Sequence, residues 1–220
     1  DLHRLIRRQR QMCIRDRKMS DVCAIVLAGG QGTRFGGKKQ FLEIKGKPLW
    51  KHVHDKLCKF ISDEDIVVVG VDTEGGITRS QSVINGLTYL KEKGKAYERV
   101  IILEAARPLI TLEQIQKIIK DEHKSTTYAL PLTSTVVKRD GSYLNRNELY
   151  KLSTPVAFDF DLFYEAYTSG KYFDYTDDTR IMYEQYGIKP FFLEGGENML
   201  KVTYHSDLAI LEMLMEKYDL

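Results

Sequence analysis

The stretch VCAIVLAGGQGTRFGGKKQF (22–41) decides the fold. Its first seven residues are an unbroken apolar run ended by glycine, the pattern of a strand buried on both faces of a parallel sheet. Five glycines then fall within residues 29–37. Glycine lets the backbone take positive φ and pass close to a ligand. Amides exposed in such a loop cradle phosphates, and Arg34, Lys38 and Lys39 add fixed positive charge beside them. The P-loop pattern is absent, as is G-x-G-x-x-G with an acidic residue after a second strand.

Working outward, IVVVG (66–70), RVIIL (99–103), YALPL (128–132), TVVK (135–138), TPVAF (154–158) and KPFFLE (189–194) read as strands. Apolar spacing predicts helices over 49–60, 78–92, 111–122, 160–168, 176–186 and 205–217. This alternation predicts an α/β fold, an open, mostly parallel Rossmann-like sheet with helices on both faces. Such sheets bind ligands at the carboxyl ends of their strands, near a topological switch point. Residues 139–151 are polar around an AspGly pair and predict a small β-arm, read as a dimerisation arm.

Composition narrows the class. The chain is 43% hydrophobic with ordinary Gly and Pro, which excludes collagen-like and wholly disordered readings. No apolar run reaches the roughly 18 residues of a membrane span. The net charge of +2 misleads, because residues 1–18 hold seven basic and two acidic side chains. That leaves the rest of the chain at −3 and gives no overall reason to expect a nucleic-acid partner. Residues 1–18 are read as a non-native or disordered segment, and 19–220 as one domain. Cys23 and Cys58 read as small core residues, and with Cys13 they form no CxxC pair. An odd count without a secretory signal favours a reducing, cytoplasmic setting.

Six segments, in order, carry a family resemblance. LAGGQGTRFGGKKQF (27–41) resembles the signature loop of nucleotidyltransferases that make activated alcohols and sugars. Its continuation, KQFLEIKGKPL, is similar to the cytidylyltransferase branch, which includes the 2-C-methyl-D-erythritol 4-phosphate and ribitol-5-phosphate cytidylyltransferases. GGITRSQSVINGL (75–87), EAARPLIT (104–111), RNELYKLSTPVAF (146–158), YTDDTRIMYEQYG (175–187) and GGENMLKVTYHSDLAILE (195–212) resemble further elements of that branch. Against its usual pattern, Lys38 replaces Pro, Leu103 and Glu104 replace His-Asp, Ser134 replaces Asp, Val156 replaces Gln and His205 replaces Pro.

The resemblance implies roles. Ala28, Gly29, Gly30 and Gly32, with Arg34 and Lys39, would hold the CTP triphosphate, and Lys201 would reach its α-phosphate. Gly76, Arg79 and Ser82 would shape the cytosine and ribose pocket, Ser82 reading the base edge. Glu104, Ala105, Arg107, Thr135, Arg146 and Thr154 would serve the acceptor, with Glu104 a candidate Mg²⁺ ligand. Asp177 and Asp178 read as helix-start carboxylates that complement the dipole. The implied reaction passes CMP from CTP to an alditol-type phosphate, with Mg²⁺, in a homodimer, without nucleic acid or membrane. Another sugar-phosphate nucleotidyltransferase and a non-catalytic nucleotide-binding domain are the alternatives.

Overall fold

The computed structural model describes residues 21–172 and 175–218. The N-terminal segment, 1–18, lies outside the described residues. The strands are β1 (Val22–Leu27), β2 (Glu43–Ile44), β3 (Lys47–Pro48), β4 (Ile66–Val69), β5 (Arg99–Glu104), β6 (Ser125–Pro131), β7 (Val136–Val137), β8 (Tyr143–Leu144), β9 (Tyr150–Asp159) and β10 (Phe191–Glu194). The helices are α1 (Leu49–Leu57), α2 (Arg79–Glu92), α3 (Leu112–Lys120), α4 (Phe160–Thr168), α5 (Asp178–Tyr186) and α6 (Asp207–Lys217). The main sheet runs β10-β6-β9-β5-β1-β4. β1 pairs parallel to β4 and β5, and β10 pairs parallel to β6, while β9 is antiparallel to both neighbours. The expected mostly parallel α/β sheet is therefore present, with one reversed strand inside it.

Alternation along β1 sorts the core into two layers. Val22, Ala24 and Val26 face Val53 and Leu57 of α1 and Ile115, Ile118 and Ile119 of α3. Cys23 and Ile25 face Val83, Leu87 and Leu90 of α2, with Phe160 and Phe163 of α4 and Ile181 of α5 in the same layer. Each such fully buried apolar side chain contributes roughly 1.5–3 kcal/mol by leaving water. α2 lies close because it turns Gly86 to the sheet, where a Cβ would come within 2.9 Å of Ile25. α3 starts at a capping box, in which Thr111 and Gln114 satisfy each other's backbone amides. α6 stands apart, closing a third cluster of Leu211, Leu214 and Met215 over Phe35, Leu49 and Val202.

This order places the site. The chain leaves β1 for β4 on one side, then crosses back to β5 on the other. The carboxyl end of β1 is thus a switch point, where connections diverge and leave a crevice. The glycine loop begins there.

Several boundaries differ from the sequence reading; β6, expected at 128–132, runs from Ser125 to Pro131, and the helix expected at 49–60 ends at Leu57. The strand expected at 154–158 begins at Tyr150, because Tyr150–Ser153 pairs with Tyr128–Pro131 of β6. The TVVK strand shrinks to β7, which forms a hairpin with β8 across the AspGly turn. The expected β-arm is this hairpin.

Candidate active site

The glycine loop folds on its own backbone. The Gly32 carbonyl accepts from the amides of Phe35, Gly36 and Gly37. Gly32 has φ of 65°, and a Cβ there would lie 1.8 Å from the Gly37 oxygen. Gln40, buried, donates from Nε2 to the Gly30 carbonyl at 3.0 Å. The short 3-10 turn Lys39–Phe41 then carries Lys39 into the cleft, while Phe35 stacks on His205 at 4.0 Å.

A second loop closes against the first. A Cβ on Gly75 would lie 2.7 Å from both the Cα and the oxygen of Gly29. Gly75→Ala must therefore push the two loops apart. We expect it to weaken CTP binding with little change in the unfolding midpoint, measured by calorimetry and urea titration. Unchanged CTP affinity would show that this contact does not set the nucleotide site.

The cleft between these loops has a volume of about 280 Å³. Ala28, Gly29, Gly30 and Gly32 form one wall, and Gly76, Arg79 and Ser82 the other. Arg34, Lys39 and Lys201 line it, with Glu104 and Ala105 at its floor. A second hollow of about 150 Å³ shares Arg79, Glu104 and Lys201 with the first, and adds Arg107, Thr154, Val156 and Asp178. The shared residues make the two hollows neighbours, with Arg79, Glu104 and Lys201 on the boundary between them.

Charge is concentrated at that junction. Lys201 Nζ donates to Glu104 Oε1 at 2.7 Å, and Arg107 Nε donates to Oε2 at 3.1 Å. Burial pushes the Glu104 carboxyl up, but Lys201 and Arg107 outweigh it and hold the group below the usual range. Arg79 donates to both oxygens of Asp178, at 2.6 and 2.5 Å. Asp178 is 1% exposed and also accepts from Tyr167 Oη. Asp177, not Asp178, caps α5 by accepting from the Arg180 amide. The dipole reading therefore holds for Asp177, whereas Asp178 turns inward to a buried arginine.

Lys39 loses basicity, first through burial and then through the neighbouring charges of Lys201 and Arg34. A bound triphosphate favours the charged form. CTP affinity should therefore be full below the Lys39 pKa of the free protein and decline as pH rises through it, beginning below the ordinary lysine value of 10.5. Lys39→Arg should move the decline to higher pH in a calorimetric titration. An identical profile in the two proteins would remove Lys39 from the phosphate site.

Thr154 reaches the second hollow through a bulge. Thr127 pairs with Val156 and Tyr128 with Ser153, so Thr154 and Pro155 lie outside the ladder. A bulge of this kind re-aims a side chain. Thr154 Oγ1 is buried with no hydrogen-bond partner among the described residues.

Several placements depart from the sequence reading. Thr135 and Arg146 lie exposed on and beside the hairpin and line neither hollow. Lys38 is exposed outside the cleft. The Ser82 hydroxyl accepts from the Gly76 amide at 3.0 Å and donates to the Thr78 carbonyl at 3.2 Å. Its single hydrogen is spent on shaping the loop, which leaves the hydroxyl one lone pair with which to accept a further hydrogen bond. Arg107 is tied to Glu104 and to the Met199 carbonyl, and so braces the approach to Lys201. Asp178 and Gln40 are among the lining residues that sequence reasoning did not assign to the site, as are Thr33 and Thr78. An acidic residue at a helix start reads as a cap, and a Gln among cations reads as solvated.

A model of the family described as 2-C-methyl-D-erythritol 4-phosphate cytidylyltransferase matches residues 71–217. The chain belongs to this family. The enzyme of that name from Thermotoga neapolitana is 33% identical over 221 residues, covering 89% of this chain and 97% of the relative. The Caldicellulosiruptor bescii enzyme is 34% identical over 225 residues, covering 89% and 97%. Among solved structures, the bifunctional IspDF of Campylobacter jejuni superposes with a TM-score of 0.74 at 29% identity over 86% of this chain. The chain spans 54% of that longer protein. The 4-diphosphocytidyl-2C-methyl-D-erythritol synthase of Anaerococcus prevotii has the same fold, with a TM-score of 0.73 at 23% identity over 89% of this chain and 98% of that one. As a family member the chain is a nucleotidyltransferase. Among its described residues, no helix is long and apolar enough to cross a membrane.

Proposed function

We propose that the chain transfers CMP from CTP to 2-C-methyl-D-erythritol 4-phosphate and releases pyrophosphate. The observation that carries this reading is the pair of adjacent hollows, in which Arg79, Glu104 and Lys201 border both. CTP would occupy the hollow beside the glycine loop, and the acceptor phosphate the one beside Thr154. The acceptor oxygen is already anionic, so no strong base is needed. It attacks the α-phosphorus as the bond to pyrophosphate breaks, and catalysis is mainly positioning and charge neutralisation. Arg34, Lys39 and Lys201 supply the positive charge. The resemblance alone left ribitol 5-phosphate open as acceptor. The similar proteins bear the methylerythritol name, which supports that acceptor.

Glu104 does not fit a resident Mg²⁺, because its two oxygens already face Lys201 and Arg107. We take magnesium to arrive as the MgCTP complex, so that it is part of the substrate. The chain is also proposed to act as a homodimer. Thr135 and Arg146 lie outside the cleft of their own chain, so acceptor contacts from them need a second copy.

Pyrophosphate release measured with each of the four nucleoside triphosphates and 2-C-methyl-D-erythritol 4-phosphate tests the nucleotide. CTP should dominate by roughly 10⁴-fold, the discrimination of a site that hydrogen-bonds its substrate. Preference for UTP or GTP with a hexose 1-phosphate would replace this reading.

A further inference from the structure

We propose that His54, Cys58 and Asp63 form a binding site for a zinc-type divalent cation, separate from the cytidylyl-transfer site. Among the described residues, these three form a group of His, Cys, Asp or Glu side chains whose candidate ligand atoms lie within 4.8 Å of one another. None of them lines either hollow of the cleft.

The local fold brings them together. His54 and Cys58 are four residues apart at the end of α1, so they share a face. Asp63 starts the 3-10 turn Asp63–Asp65, which leads into β4. His54 Nε2 lies 3.0 Å from Asp63 Oδ1, Cys58 Sγ lies 3.5 Å from the same oxygen, and Sγ to Nε2 is 3.9 Å. Zinc bonds of about 2.0–2.3 Å at tetrahedral angles set ligands about 3.3–3.6 Å apart. The observed triangle brackets that spacing; Sγ lies nearer Nδ1, at 3.6 Å, so the thiol or the imidazole must turn for Sγ and Nε2 to share an ion.

The donor set selects the metal. One imidazole, one thiolate and one carboxylate suit Zn²⁺ or Co²⁺, and disfavour the hard, oxygen-seeking Mg²⁺ that accompanies CTP. Thiolate and carboxylate together neutralise a divalent charge, and the carbonyl end of α1 adds favourable potential. Binding breaks the Cys58 S–H bond, forms a metal–sulfur bond and releases one proton to solvent. With Nε2 on the metal, His54 carries its hydrogen on Nδ1. Asp55 Oδ1 stands 3.8 Å from that atom and can take the hydrogen bond. Lys51 Nζ is 3.2 Å from Nδ1 and gives way to it, because Lys51 already pairs with Asp55 at 3.0 Å, as Lys47 does at 2.8 Å. Water would complete the fourth position. The ion would clamp the end of α1 to the turn that enters β4.

The test is titration of the full chain with Co²⁺ under reducing conditions, followed by absorption. We expect a thiolate-to-cobalt charge-transfer band with tetrahedral visible bands, saturating at one ion per chain and unaffected by excess Mg²⁺. Cys58→Ser should abolish the band, and Asp63→Asn should weaken binding roughly tenfold or more, the least that losing even an outer partner costs. Cys13→Ser should leave the band intact, and cytidylyl transfer should be unchanged in Cys58→Ser. One equivalent of Zn²⁺ should raise the thermal midpoint of the wild type and not of Cys58→Ser. Absence of the band, or its survival in Cys58→Ser, would overturn the site. Either result leaves the assignment of the cleft untouched.

Discussion

Lys39→Ala and Lys201→Ala should each lower turnover by roughly 10²-fold or more, the scale of losing one transition-state donor. Both side chains line the hollow beside the glycine loop, and Lys201 both lowers the basicity of Lys39 and offsets the buried Glu104 carboxylate. Concentrating cations this way costs the resting protein, and the negative charge gathering at the α-phosphate relieves that cost. The loss should therefore fall mainly on kcat, with a smaller change in KM for CTP. Lys201→Ala also leaves buried Glu104 with Arg107 as its nearer remaining partner, so it should lose some stability that Lys39→Ala keeps. Stopped assays of pyrophosphate release and urea melts separate the two effects. Near-normal turnover in both variants would remove these lysines from the chemistry.

Asp178→Ala should destabilise the fold by about 3–5 kcal/mol, the range for stripping one partner from a buried ion pair. Burial alone pushes Arg79 toward losing its proton, and Asp178 outweighs that and raises it above its ordinary value. Without Asp178, a largely buried guanidinium loses its two short hydrogen bonds, and Tyr167 loses its acceptor. Replacing both partners with apolar residues, as in Arg79→Met with Asp178→Leu, should recover much of the loss, since no stranded charge remains. That double variant should still bind CTP poorly, because Arg79 borders both hollows. A single variant within about 1 kcal/mol of wild type in urea denaturation would show that Arg79 finds another counter-charge, with Glu104 at 3.9 Å the nearest candidate.

The sheet was legible because its strands are unmixed signals. β1, β4 and β5 are apolar runs with glycine or acid at their ends, and nothing else in their surroundings competes with that pattern. β9 was harder, since Tyr150 and Lys151 are exposed and polar runs carry no strand signal until β6 supplies the pairing. The antiparallel sense of β9 is a matter of topology that local spacing does not encode. In the site, the glycine wall and the lysines were legible because their chemistry is local to short motifs. Asp178 was not, because its partner lies 99 residues away and only the tertiary fold brings the start of α5 to the start of α2. Cys58 read as core on its helix spacing and does pack, partly buried, against the core cluster, while the turn after α1 also sets it beside His54 and Asp63. Ser82 lines the cleft, and its hydroxyl also ties the Gly76 amide to the Thr78 carbonyl, a local contact that spacing does not reveal.

The most direct measurement is the mass of the product formed from CTP and 2-C-methyl-D-erythritol 4-phosphate, run beside ribitol 5-phosphate. The proposed function predicts a CMP adduct of the methylerythritol phosphate and one pyrophosphate per adduct, both suppressed in Lys39→Ala. Consumption of CTP without an adduct, or an adduct formed on ribitol 5-phosphate in its place, would contradict it.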